Sequence, residues 1–247
     1  MPTGIGGEKL WLSPTVANNV NPFDDQSGNS NNGTNNGSTV VSDSASGGSY
    51  AYDFDGTNDW IECSGPTGNS GAFSLALWIN RDGSVSQVTT IASQYDVTAS
   101  DRYWFLQQKT FSTGNRFTTN PNPNTSAGKV ETETTFIANS GTWYHLVALH
   151  DAVAGEQRLY IDGVLVDSDT STGFQATTIG LSLGALDGIQ FWSGKLDDVR
   201  QYDRAITQAE ITHLATSRGV LGPPGGATHY NPFKTHAFTN NFQQRLR

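Results

Sequence analysis

The sequence predicts an all-β protein, an antiparallel sandwich of two sheets with one short helix near its C-terminus. Segments rich in β-branched and aromatic residues recur at intervals of roughly 8–12 residues, and residues typical of turns separate them. Between these segments we find no helical pattern that could cross over between parallel strands. The 247 residues include 27 glycines and only 15% charged residues, which suits strands joined by many turns. This length favours one large domain with a single core.

Residues 194–219 predict a strand that continues directly into the one helix. Thr207 and Glu210 have the spacing of a capping box, in which each side chain accepts a backbone N–H at the start of the helix. Gly219 supplies the left-handed residue that ends many helices. Between these signals, apolar residues recur at helical spacing: Ile211, Leu214 and Ala215.

The other strands are predicted from apolar and β-branched runs. Residues 73–80 (FSLALWIN) alternate, with Phe, Leu, Leu and Ile on one face. Residues 143–150 (WYHLVALH) are apolar on both faces, which fits a central strand between two layers. Residues 157–166 predict a hairpin whose turn, Asp162-Gly163, is of type I′. Further strands are expected at 9–12, 50–64 (two short ones), 88–95, 102–108, 129–137, 178–184 and 190–192.

Two segments lack strand patterns and predict loops. Residues 18–38 are rich in Asn, Gly and Ser, so they form either a flexible linker or a long loop held by Asx-turns, with a metal ion at Asp24-Asp25 as a further option. Residues 110–129 are rich in Thr, Asn and Pro and predict a second loop.

Charge is distributed unevenly along the chain. The net charge is −9, and every charged residue after Glu210 is basic, which leaves 10 basic against 23 acidic groups in the first 210 residues. An acidic body argues against nucleic acid as a partner. No run of about 18 apolar residues predicts a membrane span. The single cysteine, Cys63, excludes an intrachain disulfide, and a chain that is complete as given lacks a signal peptide and folds in the cytoplasm that makes it.

The last 28 residues, 220–247, predict an extended arm. The segment opens with LGPPGG after Val220, which is too rich in Gly and Pro for a helix or a strand. Disordered tails normally lack aromatic residues, so spaced aromatics on such an arm indicate anchors that fill pockets. We expect the arm to bind other copies of this chain or a shell or tail protein; the alternative is an arm that packs on its own sandwich. The candidate anchors are Tyr230, Phe233, Lys234, Phe238, Phe242, Arg245 and Arg247.

Six segments in order along the chain resemble the laminin G-like, concanavalin A-like jelly rolls. The likeness covers about Leu10 to Arg218, and it implies a jelly-roll domain over residues 1–219 followed by the arm. The segments are 25–28 (DQSG), 54–61 (FDGTNDWI), 73–79 (FSLALWI), 141–147 (GTWYHLV), 159–163 (LYIDG) and 194–207 (GKLDDVRQYDRAIT).

The resemblance implies a structural calcium ion. Members of the family often carry Ca²⁺ near the Asp-x-Ser-Gly loop and the Asp-Asp strand, and Asp25, Asp197 and Asp198 stand at the matching positions. A turn-rich loop can present the carboxylates and backbone carbonyls that Ca²⁺ prefers. The alternative is that these aspartates cap turns and accept hydrogen bonds from loop amides.

The same fold carries enzymes, lectin-like modules and structural proteins, so activity has to be judged from residues. Glu131 and Glu133 share a strand face, but no third acidic residue completes a glucanase-like pattern. His145 and His150 lie on a strand of the core and are expected to be structural, as is Cys63. We therefore predict no catalytic residues and no enzyme activity.

Carbohydrate binding is plausible from the fold, since sugar sites combine exposed aromatic faces with amides and carboxylates. The candidates are Tyr95, Tyr103, Trp104 and Trp192, and the alternative is that each packs in the core. The sequence by itself favours a virion structural protein, such as a bacteriophage capsid decoration or tail component on the particle surface. The alternative is a carbohydrate-binding or adhesion module of a bacterial surface or secreted protein, located outside the cell.

Overall fold

The structure of the protein is a computed structural model that describes residues 5–14, 21–43, 49–65, 71–83, 87–96, 101–109, 115–119, 130–134, 141–171 and 179–216. Within these residues the chain forms fifteen strands and one helix. The strands are β1 Glu8–Leu12, β2 Gly33–Asn36, β3 Thr39–Asp43, β4 Ser49–Asp55, β5 Trp60–Cys63, β6 Phe73–Arg81, β7 Thr89–Asp96, β8 Asp101–Gln108, β9 Asn115–Thr119, β10 Val130–Thr134, β11 Trp143–Asp151, β12 Glu156–Ile161, β13 Val164–Thr170, β14 Leu181–Leu183 and β15 Ser193–Tyr202. The helix, α1, is Gln208–Thr216.

The strands form two antiparallel sheets. Sheet A has the order β13-β12-β11-β6-β15-β4-β3, and β1 also pairs with β15. Sheet B has the order β10-β9-β8-β7-β14-β5-β2. The predicted jelly-roll sandwich with one short C-terminal helix is confirmed.

The main core lies between the inner faces of the two sheets. In strand β6 the odd-numbered apolar residues, such as Leu75 and Leu77, enter this core, while Ala76 lies on the other face of the sheet. Phe73 of sheet A stacks on Trp104 of sheet B with ring centroids 5.2 Å apart. Alternation along each strand thus divides its residues between the core and the outer face, as the sequence predicts for residues 73–80.

A second apolar cluster covers part of the outer face of sheet A. Ile211 and Leu214 of α1 pack there against Val147 and Leu149 of β11. Strand β11 is therefore apolar on both faces because the core lies on one side and the helix on the other. The capping box is confirmed: Glu210 Oε2 accepts the Thr207 backbone N–H at 2.7 Å, and Thr207 Oγ1 accepts the Glu210 N–H at 3.3 Å.

Two Asp-Gly turns join short antiparallel segments. At Asp162-Gly163 the φ angles are 49° and 82°, and Ile161 pairs with Val164. This confirms the predicted type I′ hairpin, which needs positive φ at both central residues. The second turn, Asp187-Gly188, has φ angles of 48° and 72°.

Three sequence predictions about loops and strands are corrected. Residues 190–192 form a loop rather than a strand, since in the described structure β14 ends at Leu183 and β15 begins at Ser193. Strand β9 lies inside the predicted 110–129 loop, where pairing with both β8 and β10 adds to the strand preference of its Phe and Thr residues. Strand β2 lies inside the predicted 18–38 loop and pairs with β5.

The C-terminal arm, with all its candidate anchors, and the predicted helix end at Gly219 lie outside the described residues. Among the residues that are described, no helix has the length and apolar character needed to cross a membrane.

Candidate functional site

The outer face of sheet B carries aromatic and polar side chains. In β5, Ile61 and Cys63 enter the core, so the alternating Trp60 and Glu62 point to the opposite side of the sheet. Leu181 and Leu183 of β14 are likewise in the core, which places Ser182 on the same outer face as Glu62.

Strand register aligns five outer-face residues in a row across the sheet. Residues directly opposite in antiparallel strands have neighbouring side chains on one face. Each residue of the row is paired with the next residue of the row on the neighbouring strand. The row is Thr34, Glu62, Ser182, Ser93 and Phe105.

The loop between β14 and β15 packs beside this row and is held by hydrogen bonds. Leu186 and Ile189 exchange both backbone hydrogen bonds across the Asp187-Gly188 turn, at 2.8 and 3.1 Å. Ser93 Oγ donates to the Ala185 carbonyl at 3.0 Å, which ties the loop to the row. A turn of this type closes a hairpin tightly, so the loop has little freedom.

Two glutamine side chains connect the loop to strands β7 and β8. Gln107 Nε2 donates to Gln190 Oε1 at 2.6 Å and to Thr90 Oγ1 at 3.1 Å. The Thr90 backbone N–H donates to the Gln190 carbonyl at 2.7 Å. Gln190 is exposed although Gln107 and Thr90 are buried, so the network presents a preoriented amide at the surface.

Two aromatic pairs lie at the row, and Phe105 of the row belongs to one of them. Trp60 and Phe191 have ring centroids 6.2 Å apart with planes inclined by 37°. Tyr95 and Phe105 have centroids 6.2 Å apart in an edge-to-face arrangement. All four side chains are partly exposed. Flat apolar faces are thus available beside the carboxyl group of Glu62 and the amide of Gln190.

The electrostatics of Glu62 differ from those of a surface carboxylate. The pKa of Glu62 is raised to about 7: burial is the main cause, the hydroxyl of Ser182 acts to lower the pKa, and the nearby Asp187 carboxylate acts to raise it. Near neutral pH both protonation states of Glu62 are populated. The group can therefore donate or accept a hydrogen bond from a ligand that is rich in hydroxyl groups.

Of the four aromatic residues that the sequence nominates for ligand binding, the structure places one on this face. Tyr95 is partly exposed, whereas Tyr103, Trp104 and Trp192 are at most 6% exposed and belong to the core. The nomination of these three is corrected because a ligand cannot reach a ring buried between two sheets. The Trp104 indole is also satisfied internally, since its Nε1–H donates to Gln94 Oε1 at 2.6 Å.

Sequence reasoning missed Trp60, Glu62, Phe105 and Phe191. Two local signals were present. In the segment WIEC the apolar Ile61 and Cys63 alternate with Trp60 and Glu62, which predicts that the latter pair faces outward. Phe191 precedes Trp192, and adjacent residues in an extended segment point to opposite sides.

The three candidate metal ligands all accept hydrogen bonds from other groups of the protein. Asp25 accepts three backbone N–H groups, from Trp11, Ser27 and Asn31, each at 2.9 Å. This arrangement matches the alternative in which the aspartate holds the Asn/Gly-rich loop. Its Oδ1 bond to Ser27 is an Asx-turn and its bond to Trp11 joins the loop to β1.

Asp197 and Asp198 are engaged by the protein as well. Asp198 accepts the Trp11 Nε1–H at 2.7 Å and forms an ion pair with Arg200 at 2.8 Å. Asp197 accepts the Ser13 hydroxyl at 3.3 Å and the Asp198 N–H at 2.7 Å. The guanidinium bound to Asp198 repels a divalent cation, so the Asp198 carboxylate is poorly suited to Ca²⁺. Over the described part of the chain, no three His, Cys, Asp or Glu residues are grouped to hold a metal ion.

The residues considered for catalysis are placed as follows. His145 and His150 are buried, and burial is the main cause that lowers the pKa of each; the pKa of His145 falls to about 3. Cys63 is a buried free thiol whose pKa burial raises. Glu131 and Glu133 lie in β10 opposite Thr118 and Arg116 of β9. The side chains of these two glutamates lie outside the described part of the structure.

A family model described as the concanavalin A-like lectin/glucanases superfamily, of the laminin G type, matches residues 55–212. The chain belongs to this family. The resemblance drawn from the six sequence segments is thereby confirmed. A search of curated protein sequences found no significant match.

Solved structures share the fold at low sequence identity. Domain 4 of AbnA, a GH43 extracellular arabinanase from Geobacillus stearothermophilus, was solved in complex with arabinotriose. It is 22% identical with a TM-score of 0.65, over 84% of this chain and 98% of that one. The binding domain of Paraclostridial Mosquitocidal Protein 1 is 16% identical with a TM-score of 0.65, over 85% of this chain and 52% of that one.

The ligand binding domain of botulinum neurotoxin serotype D, in complex with N-acetylneuraminic acid, is 14% identical with a TM-score of 0.64, over 85% of this chain and 50% of that one. This chain thus spans about half the length of the two toxin domains. At these identities the likeness establishes the fold alone.

Proposed function

We propose that this protein is a non-catalytic carbohydrate-binding module and that the outer face of sheet B binds the glycan. The observation that carries the proposal is the position of Trp60 and Phe191, partly exposed and paired, beside Glu62 on the same face. We propose that the protein acts outside the cell, as a secreted or surface-attached protein.

The chemistry of the face suits a sugar. The apolar face of a sugar ring packs against an aromatic ring, while its hydroxyl groups need partners that both donate and accept hydrogen bonds. Glu62, with a pKa of about 7, and the amide of Gln190 supply such partners. The hydrogen bonds from Gln107 and Thr90 hold the loop in place before a ligand arrives, which reduces the entropy lost on binding.

The relatives in fold support this class of ligand without specifying the sugar. One is a domain of an arabinanase solved with arabinotriose, and another is a toxin domain solved with N-acetylneuraminic acid. These two ligands give the first compounds to test.

A glycan array followed by calorimetry with arabino-oligosaccharides and N-acetylneuraminic acid tests the proposal. Trp60→Ala is expected to weaken binding by about tenfold or more, as truncation of a central aromatic anchor costs about 2 kcal/mol. Tyr50→Ala is the matched control, because Tyr50 is an exposed aromatic residue that belongs to sheet A and not to sheet B. Retention of no glycan by the wild type, or equal binding by Trp60→Ala, would contradict the site.

The non-catalytic part of the proposal is tested separately. Glu62, whose pKa is raised, lies near the Asp187 carboxylate on this face, and carboxyl groups with a raised pKa occur at active sites. We expect the protein to release no reducing ends from glycans that it binds. Release that disappears in Glu62→Gln would make the protein a hydrolase.

The virion role that the sequence favours stays a prediction, because it depends on residues 220–247. Comparing the full chain with a chain ending at Gly219 by light scattering tests it. An assembly that forms only with the arm would support it.

A further inference from the structure

Strand β13, at the edge of sheet A, carries an exposed apolar strip. Val164, Leu165 and Val166 are 64%, 46% and 38% exposed, and among the described residues they are the only consecutive large hydrophobic residues with such exposure. In the described structure β13 is the outermost strand of sheet A and pairs within that sheet with β12. Leu165 pairs with Tyr160 and Asp167 with Leu159, so Val166 is an extra residue in a bulge. A contiguous exposed apolar strip at a sheet edge indicates a contact surface.

The end of helix α1 lies next to the start of this strip. Gln208 Nε2 donates to the Gly163 carbonyl at 2.7 Å. A methyl group placed on Gly163 would lie 3.4 Å from Ala215 Cβ, so the last turn of α1 lies against the hairpin turn. The helix ends at Thr216, one residue later. The end of α1 therefore lies beside the turn from which β13 begins.

The chemistry of the following segment complements the strip and its surroundings. The segment carries four aromatic residues and no acidic residue, and its charges are those of Arg218, Lys234, Arg245 and Arg247. Beyond the strip, β13 carries Asp167 and Asp169. Aromatic side chains can cover the valines and the leucine while the cations lie near the two aspartates.

We propose that residues 217–247 of the same chain bind back onto the strip Val164–Val166, with aromatic residues of the segment as the contacts. The covalent link makes this binding intramolecular, with an effective concentration on the order of mM for a short flexible connection. Fully extended, the 31 residues reach about 100 Å, so length does not limit the contact. Binding to the strip of the same chain is therefore favoured over binding to another copy as long as the protein concentration stays below this effective concentration.

Limited trypsin digestion of the full-length protein tests the proposal, with cleavage after Lys234 and Arg245 followed by mass spectrometry. The double variant Val164→Ser/Val166→Ser removes apolar surface from exposed positions and is expected to speed this cleavage about tenfold. Val153→Ser is the matched control. Val153 is 97% exposed in the turn between β11 and β12, at the opposite end of β12 from the strip, so this substitution should leave the cleavage rate unchanged. Equal cleavage rates in the wild type and the double variant would overturn the proposal.

Light scattering across a concentration series distinguishes binding of the segment to its own chain from binding to a second copy. A monomer whose segment is protected at every concentration supports binding to the same chain. Protection that appears only with dimer formation, and is lost in the double variant, would assign the strip to a second copy. The strip lies on sheet A and the glycan site on sheet B, so the double variant should bind glycans like the wild type. Failure of one proposal therefore leaves the other standing.

Discussion

At the level of single residues, Glu62 combines an unusual pKa with a position between aromatic and polar neighbours. Its carboxyl group is held partly out of water on sheet B, and the Asp187 carboxylate disfavours its ionisation further. Because folding raises the pKa from its ordinary value of 4.5 to about 7, the folded protein binds a proton more tightly than the unfolded chain.

This linkage predicts how Glu62→Gln changes stability with pH. The contribution of the protonated carboxyl is fully present below about pH 4.5 and is lost as the pH rises through about 7. The variant does not ionise, so its stability relative to the wild type should improve by roughly 1–2 kcal/mol between pH 4.5 and pH 8, after allowance for partial exposure. Urea unfolding at both pH values measures the difference. A constant difference between the two proteins would show that Glu62 keeps its ordinary pKa.

Arg200 shows the opposite arrangement, a buried cation that is fully supplied with partners. Its guanidinium pairs with Asp198 at 2.8 Å, approaches Glu8 at 3.6 Å and lies 4.0 Å from the centre of the Trp11 ring. These contacts join β1 to β15.

At the level of elements, α1 depends on its first turn. Arg204 donates to both oxygens of Glu210 at 2.9 and 2.8 Å, and this contact is the main reason that the pKa of Glu210 falls to about 2. Thr207 donates and accepts within the same group of contacts. The helix in turn covers Val147 and Leu149, so the cap supports the outer cluster of sheet A.

Thr207→Ala is expected to lower the free energy of unfolding by about 1 kcal/mol through loss of the cap. Thr207→Ser is the control, since serine keeps the capping hydroxyl and should remain within about 0.5 kcal/mol of the wild type. Chemical denaturation followed by fluorescence measures both. An alanine variant as stable as the serine variant would show that the hydroxyl contributes nothing.

The contribution of Glu210 should depend on pH. Its folded pKa is lowered, so its stabilisation is present above the ordinary value of 4.5 and is lost as the pH falls towards about 2. This direction is opposite to that of Glu62. The two glutamates therefore give the protein opposing pH dependences over adjacent ranges.

At the level of the whole molecule, carboxylates join the long loop and strand β15 to the N-terminal strand. Asp25 binds amides of β1 and of its own loop, and Asp198 binds Trp11 from a position 187 residues away in the sequence. Donors from the protein thus occupy the places that cation ligands would need.

We accordingly expect calcium to leave the melting temperature within about 1 °C of its value in EDTA. A site filled at 100 times its dissociation constant would add about 2.7 kcal/mol and raise the midpoint by several degrees. Differential scanning calorimetry in 5 mM CaCl₂, in EDTA, and in NaCl of matched ionic strength makes the comparison. A rise of several degrees that EDTA reverses would re-establish the calcium site.

Several features could be predicted from the sequence because they depend on residues that are close together in the chain. Positive φ at Asp162 and Gly163 is a property of the residues themselves, and the cap needs only Thr207 and Glu210. Alternation in residues 73–80 likewise follows from the geometry of one strand. These local patterns, repeated along the chain, were sufficient to predict an antiparallel sandwich with a late helix.

Tertiary structure alone decided which side of each strand is covered. Trp192 and Phe191 are adjacent and both aromatic, yet one is buried in the core and the other pairs with Trp60 on the surface. Pairing with two neighbours made a strand of Asn115–Thr119, where local composition predicts a loop. A single strand defines two faces by alternation, but the partner that buries one of them comes from a distant part of the chain, so the site could be located only once the sheets were packed.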